Sequence, residues 1–192
     1  MMMAQRTRFD LGIFALLALV MLATRTHSLS AYVHLPDTGW ASFFVAGYYI
    51  RSRMAFPALF LLAFAIDLVV IGARGGASFC FTPAYWMLVP AYGTMWCAGR
   101  FAAKRMGASL AILPAIVVLA VGATFVGHLF SSGGFYVLSG HFKDPSLAGF
   151  AGRIIRYFPG SLLSTLTWTG VAIACHAVVV LLTSGQSSGQ RR

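Results

Sequence analysis

Apolar residues in this chain fall into six runs, at residues 11–23, 39–50, 57–71, 83–98, 110–130 and 161–182, and most of the charged residues lie in the breaks between them. Each run reads as a helix that crosses a bilayer, once residues on either side are added where the run itself is short. The first run is open to two readings, a spanning helix or the core of a cleaved signal peptide. Asp10 interrupts its basic flank and no clean small-x-small site follows it, so we read a helix that extends toward Ser28. The second run stops at Arg51 and Arg53, and the fourth at Arg100, Lys104 and Arg105. The stretch 131–160 is mixed, basic and aromatic, and is predicted to be a long connection lying on the membrane surface.

Composition fixes the solvent. Of the 192 residues, 59% are hydrophobic, only 9% are charged and none is glutamate, whereas soluble chains carry about a quarter charged residues. The prediction is an all-α polytopic membrane protein, a single six-helix domain over residues 1–182, with 183–192 (TSGQSSGQRR) a disordered polar tail. The net charge of +10 does not indicate nucleic acid, because the basic residues are distributed between apolar runs rather than gathered on one water-facing surface. Topology explains it better. With both termini in the cytoplasm, Arg6, Arg8, Arg51, Arg53, Arg100, Lys104, Arg105, Arg191 and Arg192 are inside, and Arg25, Arg74, Lys143, Arg153 and Arg156 are outside. The prediction is therefore a multi-pass protein of the cell inner membrane, embedded in lipid and without a nucleic-acid partner. No internal repeat suggests an inverted-repeat transporter, and no GxxxxGK[ST] loop suggests a nucleotide motor.

On that topology the outward connection at residues 74–82 holds Cys80. Thr82 reads as an N-cap and Pro83 as the first residue of the next helix, so the thiol lies near the positive end of a helix dipole, which favours the thiolate. Gly75 and Gly76 permit close approach of a bulky ligand, and Phe79, Phe81, Tyr85 and Trp86 offer aromatic walls. A lone cysteine among apolar residues is also commonly just a small buried hydrophobe. Cys80, Cys97 and Cys175 form no CxxC and no even-numbered framework, so neither a zinc site nor a disulfide scaffold is signalled.

Asp67 is the single ionisable residue in the third run. An acid there faces a cavity or a partner. Two readings stand: an acceptor at the floor of an outer pocket, two turns below Arg74, or an interhelical lock with a tyrosine hydroxyl or a backbone donor. Arg153 and Arg156, three apart in GRIIRYF, either hold a phosphate of the substrate or meet lipid headgroups. His27, His34 and His141 are candidate ligands in outward connections, and His128 ends the fifth run near the same face. His176 lies deep toward the cytoplasmic side.

The stretches THSLSAYVHLPD, FPALFLLAFAID and above all SFCFTPAYW resemble the BtuM family, small cobalamin-uptake proteins related to the substrate-binding S-components of energy-coupling-factor transporters. The resemblance implies an S-component-like six-helix bundle that binds cobalamin as substrate, with Cys80 as axial ligand of the corrinoid cobalt and as the residue that takes part in removing an axial cyanide. Other substrate-binding candidates are Asp67, Tyr85, Arg153, His27, Phe79 and Arg74. No metal is implied beyond the cobalt of the substrate. S-components that dock on the shared energising module commonly show AxxxA in helix one. Here Ala15 is followed four residues later by Leu19, and Ala18 by Leu22, which fits a solitary transporter better than one energised by that module. From a different class, the alternative is a membrane thiol enzyme that uses Cys80 for redox exchange. It would need a second cysteine within reach, and Cys97 and Cys175 are both predicted toward the opposite side.

Overall fold

Helices follow the apolar runs, and the first and last continue into the polar sequence beside them. The computed structural model describes residues 2–25, 36–73, 82–105 and 112–189. Among these the order is α1 (Met2–Arg25), α2 (Gly39–Tyr49), α3 (Ala55–Ala73), a 3₁₀ helix (Pro83–Met87), α4 (Leu88–Arg105), α5 (Leu113–Leu138) and α6 (Leu147–Gly189). No strand occurs among the described residues, so the class is all-helical and the six α-helices answer the six predicted runs. Four helical segments are long and apolar enough to cross a membrane: Gln5–Arg25, Ala55–Gly72, Leu113–Leu138 and Leu147–Val179.

Three boundaries differ from the sequence prediction. The second run forms a helix of only 11 residues, about 16 Å long at 1.5 Å per residue, about half the thickness of a hydrocarbon core. Ile50 leaves the helix in an extended conformation just before Arg51. The stretch 131–160 is not a long surface connection. α5 continues to Leu138, the connection is confined to 139–146, and α6 begins at Leu147 and runs on through Pro159. The proline ring removes one helical hydrogen bond, the one to the carbonyl of Ile155, a residue that is 77% exposed, so the helix tolerates it. At the far end α6 stays helical to Gly189, past residue 182 where a disordered tail is predicted.

The short α2 is the centre of the bundle. Seven of its residues are buried, Phe43 and Ala46 completely, and they pack with Met21 of α1, Leu59 of α3, Met95 and Trp96 of α4 and Ala120 of α5. Tyr92 stacks on Phe43 with ring centroids 4.4 Å apart, and Phe56 meets Phe43 edge-on at 5.5 Å. α2 and α4 run in the same direction and touch backbone to backbone. A Cβ on Gly47 would overlap the carbonyl of Trp96, and one on Gly99 the carbonyl of Phe44. Small residues at such a crossing let the helices close.

Polar groups close each end of this core. At one end Arg100 caps α2, its guanidinium donating to the carbonyls of Ile50 (2.8 Å) and Arg51 (2.9 Å) while lying over the Trp96 ring. Asp10 of α1 accepts from the Arg51 amide at 3.3 Å. At the other end, Trp168 of α6 donates to the Pro36 carbonyl at 2.9 Å, Ser164 donates to the carbonyl of Asp37, and Thr24 and Thr38 share a hydrogen bond of 2.9 Å. That second end also carries the last residue of α1, Arg25, and the candidate site.

Candidate functional site

Asp67, the acid of the third run, is held from two elements, α1 and the 3₁₀ helix. Arg25 grips its carboxylate as a fork, Nε to Oδ1 at 2.6 Å and Nη2 to Oδ2 at 2.9 Å, and the Tyr85 hydroxyl donates to Oδ2 at 2.9 Å. The remaining nitrogen of Arg25, Nη1, donates to the Tyr92 hydroxyl at 3.1 Å and lies 3.9 Å from Asp37. This links α1, α3, the 3₁₀ helix and α4 through one guanidinium. The Arg25 and Asp67 side chains are 13% and 20% exposed, so the pair is largely withdrawn from solvent. Such a pair holds geometry well, and removing one partner strands the other.

The helix start at Thr82 and Pro83 is present, with Thr82 extended and Pro83 opening the turn. It opens as five residues of 3₁₀ helix rather than as α-helix. Pro90, in the first turn of α4, has no N–H for the carbonyl of Trp86 and its ring crowds that carbonyl, which favours the tighter winding upstream. The Thr82 hydroxyl caps nothing and is buried without a partner.

Asp67 and Tyr85 are thus brought together, and Phe64 packs edge-on against the Tyr85 ring at 5.5 Å. Trp86 faces outward, 65% exposed. Cys80, Phe79, Arg74 and His27 lie outside the described residues. Their flanks do not: Ala73 ends α3, and Thr82 leads into the turn whose Tyr85 is bound to Asp67. Among the described residues no three side chains of His, Cys, Asp or Glu come together. Cys97 and Cys175 are exposed thiols on α4 and α6, the first one turn from the Arg100 cap and the second beside Phe9 and Tyr49. Neither is at the Arg25 end.

Arg153 belongs to a separate place at the same end of the bundle. The 3₁₀ helix lies between the two: Tyr85 bonds Asp67, Met87 packs where Gly134 leaves room for it, and Leu88 lines an open cleft between α5 and α6 of about 300 Å³. Arg153, His128, Ser131, Ser132, Tyr157 and Ser161 also line it. Aromatic rings surround the Arg153 guanidinium, Phe142 at 4.8 Å, Tyr157 at 5.1 Å, and Phe135 and Tyr136 at 5.7 Å. Arg156 instead lies over the Tyr157 ring at 5.5 Å, exposed at the surface.

Two members of these sites are not predicted from sequence. Arg25 reads there as part of a polar connection, although an acid in an apolar run demands a cation and Arg25 is the basic residue in the last turn of α1. His128 reads as the end of a helix, whereas it is 4% exposed and faces the cleft. No family model matches the chain and a search of curated proteins finds no match, so the functional reading rests on these residues.

Proposed function

We propose that this protein is a multi-pass inner-membrane carrier for cobalamin and related corrinoids, receiving them at the outward face and ligating the cobalt through the Cys80 thiolate. The observation that carries the reading is the segment SFCFTPAYW, in which Cys80 lies five residues before Tyr85, the residue bonded to Asp67. A corrinoid is a broad disc whose metal is reached only along its axis, so a single ligand on a connecting segment with a firm anchor is the arrangement that suits it. Thiolate also matches the softness of that metal. With cyanocobalamin the thiolate displaces cyanide: a cobalt–sulfur bond forms, the cobalt–carbon bond breaks, cyanide leaves with its electron pair, and no oxidant or reductant is consumed.

Orientation follows from charge. Arg6, Arg8, Arg51, Arg53, Arg100, Lys104 and Arg105 lie toward the Arg100 end, and Arg25, Lys143, Arg153 and Arg156 toward the other. The positive-inside bias makes the first end cytoplasmic and the Arg25 end outward, with both termini inside. Visible spectroscopy of purified protein with added cyanocobalamin tests the proposal. The parent shifts the corrinoid spectrum and releases cyanide, Cys80→Ala does neither, Cys80→Ser recovers little, and Cys97→Ala and Cys175→Ala behave as the parent. A Cys80→Ala protein with the parent's affinity, shift and cyanide release would overturn it.

A further inference from the structure

The cleft between α5 and α6 presents the donors of an anion site. The chain has four acidic residues, Asp10, Asp37, Asp67 and Asp144. Both ion pairs among the described residues belong to Arg25, so Arg153 has no carboxylate. Its aromatic surroundings hold the guanidinium in place without neutralising it, and its Nε is buried with no hydrogen-bond partner. Across the cleft His128 is in the same condition. Its ring is 4% exposed, Nδ1 lies 3.3 Å from the Ser161 hydroxyl, and Nε2 is buried without a partner. The Ser161 hydroxyl also lies 3.5 Å from the Tyr157 carbonyl, and an anion at Nε2 would select the tautomer in which Nε2 carries the proton and Ser161 donates to Nδ1. Two buried polar nitrogens at one cleft, Arg153 Nε and His128 Nε2, have no partner among the described residues, and one of them is cationic, so an anionic acceptor suits the place.

We infer that this cleft binds a phosphodiester, held by Arg153 and His128 with the Ser131 and Ser132 hydroxyls at its edge. A monoanionic phosphate diester meets a guanidinium and a ring N–H through separate oxygens, and charge-assisted hydrogen bonds of this kind are strong where water is scarce. Two sources share the chemistry: the headgroup of a bilayer phospholipid, and the nucleotide-loop phosphodiester of a cobalamin. The exposed apolar side chains of Leu147 and Ile155 on the same stretch of α6 suit contact with lipid tails. The inference does not depend on corrinoid uptake, since a chain that ignored corrinoids yet held phospholipid here would defeat that reading and leave this one standing.

Delipidated full-length protein is titrated with a short-chain phosphatidylglycerol and with the diacylglycerol of the same chains, and bound lipid is counted by native mass spectrometry. The parent is expected to bind one phosphatidylglycerol saturably and the diacylglycerol not at all. Arg153→Met, which keeps the stem among the rings, and His128→Gln should each weaken binding about tenfold or more. Arg153→Lys should recover part of the loss, and exposed Arg156→Gln should bind as the parent does. Melting curves separate binding from folding, and where Arg153→Met does not fold, Arg153→Lys and His128→Gln carry the comparison. Displacement of the lipid by cyanocobalamin but not by cobinamide, which lacks the phosphodiester, assigns the site to the corrinoid; displacement by neither assigns it to lipid. No saturable phosphatidylglycerol binding, equal binding of the diacylglycerol, or undiminished binding by folded His128→Gln and Arg153 variants would overturn the inference.

Discussion

Arg25, the last residue of α1, and Asp67, on α3, form a two-pronged ion pair at 2.6 and 2.9 Å, 42 residues apart in the chain, and the Tyr85 and Tyr92 hydroxyls complete the network. The pair compensates the one acid in the apolar run 57–71 and ties α1 and α3 together. Asp67→Asn keeps the shape and removes the charge, leaving Arg25 with only Asp37 at 3.9 Å. A loss of about 3 kcal/mol in stability is expected, at the lower end for a broken buried pair because Asp37 remains. Replacing both partners together, Arg25→Met with Asp67→Leu, should recover most of it, since no charge is then stranded. Thermal melts of the three variants in detergent check this, and a double variant no more stable than Asp67→Asn would contradict it.

Gly47 and Gly99 carry a second prediction. Both face a backbone carbonyl across the α2–α4 crossing, where a methyl group has no room, while Gly93 on the same helix has its nearest foreign atom at 4.0 Å. Gly99→Ala and Gly47→Ala should each cost about 1–3 kcal/mol as the helices are forced apart. Gly93→Ala should be neutral or slightly stabilising through helix propensity. Melting temperatures measured side by side separate the two classes.

Much of this fold is legible in the sequence, and the failures have physical causes. Six apolar runs give six helices, and the second ends just before Arg51 and Arg53, but charge does not end every helix: Arg6, Arg8 and Asp10 lie inside α1, and Arg153 and Arg156 inside α6. The length of α2 is not legible: its run is as apolar as its neighbours, and only packing against five other helices makes an 11-residue element stable without crossing a bilayer. The helical course of 147–160 is hidden by its mixed basic and aromatic composition, which reads as a connection on the membrane surface. The need of Asp67 for a partner is evident from its neighbours, but that Arg25 supplies it depends on which helix ends meet in space. The Cys80 segment is read from residue type and resemblance alone, whereas the cleft at His128 and Arg153 is visible only once α5 and α6 are packed.

Topology gives a third prediction. Single cysteines introduced at Lys143 and at Arg53, in a chain with its native cysteines replaced, should label from opposite sides of the membrane. Lys143→Cys is expected to react with an impermeant maleimide in intact cells and Arg53→Cys only after permeabilisation. The opposite pattern would place the Arg25 end in the cytoplasm and remove Cys80 from the outward face.

The last prediction concerns Tyr85, which joins the two features of the proposed site. Its hydroxyl bonds Asp67, its ring packs on Phe64, and it lies five residues beyond Cys80 in the sequence. Tyr85→Phe preserves the ring and deletes one hydrogen bond to a carboxylate, a loss of about 1.5–3 kcal/mol. Asp67 keeps both bonds from Arg25, so the bundle should remain folded and the ion pair intact. If Tyr85 acts by fixing the end of the Cys80 segment, the variant should bind cyanocobalamin more weakly, yet show at saturation the same visible spectrum and the same cyanide release as the parent, because the ligating sulfur is untouched. Trp86→Ala, which removes an exposed ring and no hydrogen bond, should leave the melting temperature unchanged and affect affinity only if the ring meets the corrinoid. A Tyr85→Phe protein with full affinity and lowered stability would confine the Asp67 network to holding the helices together.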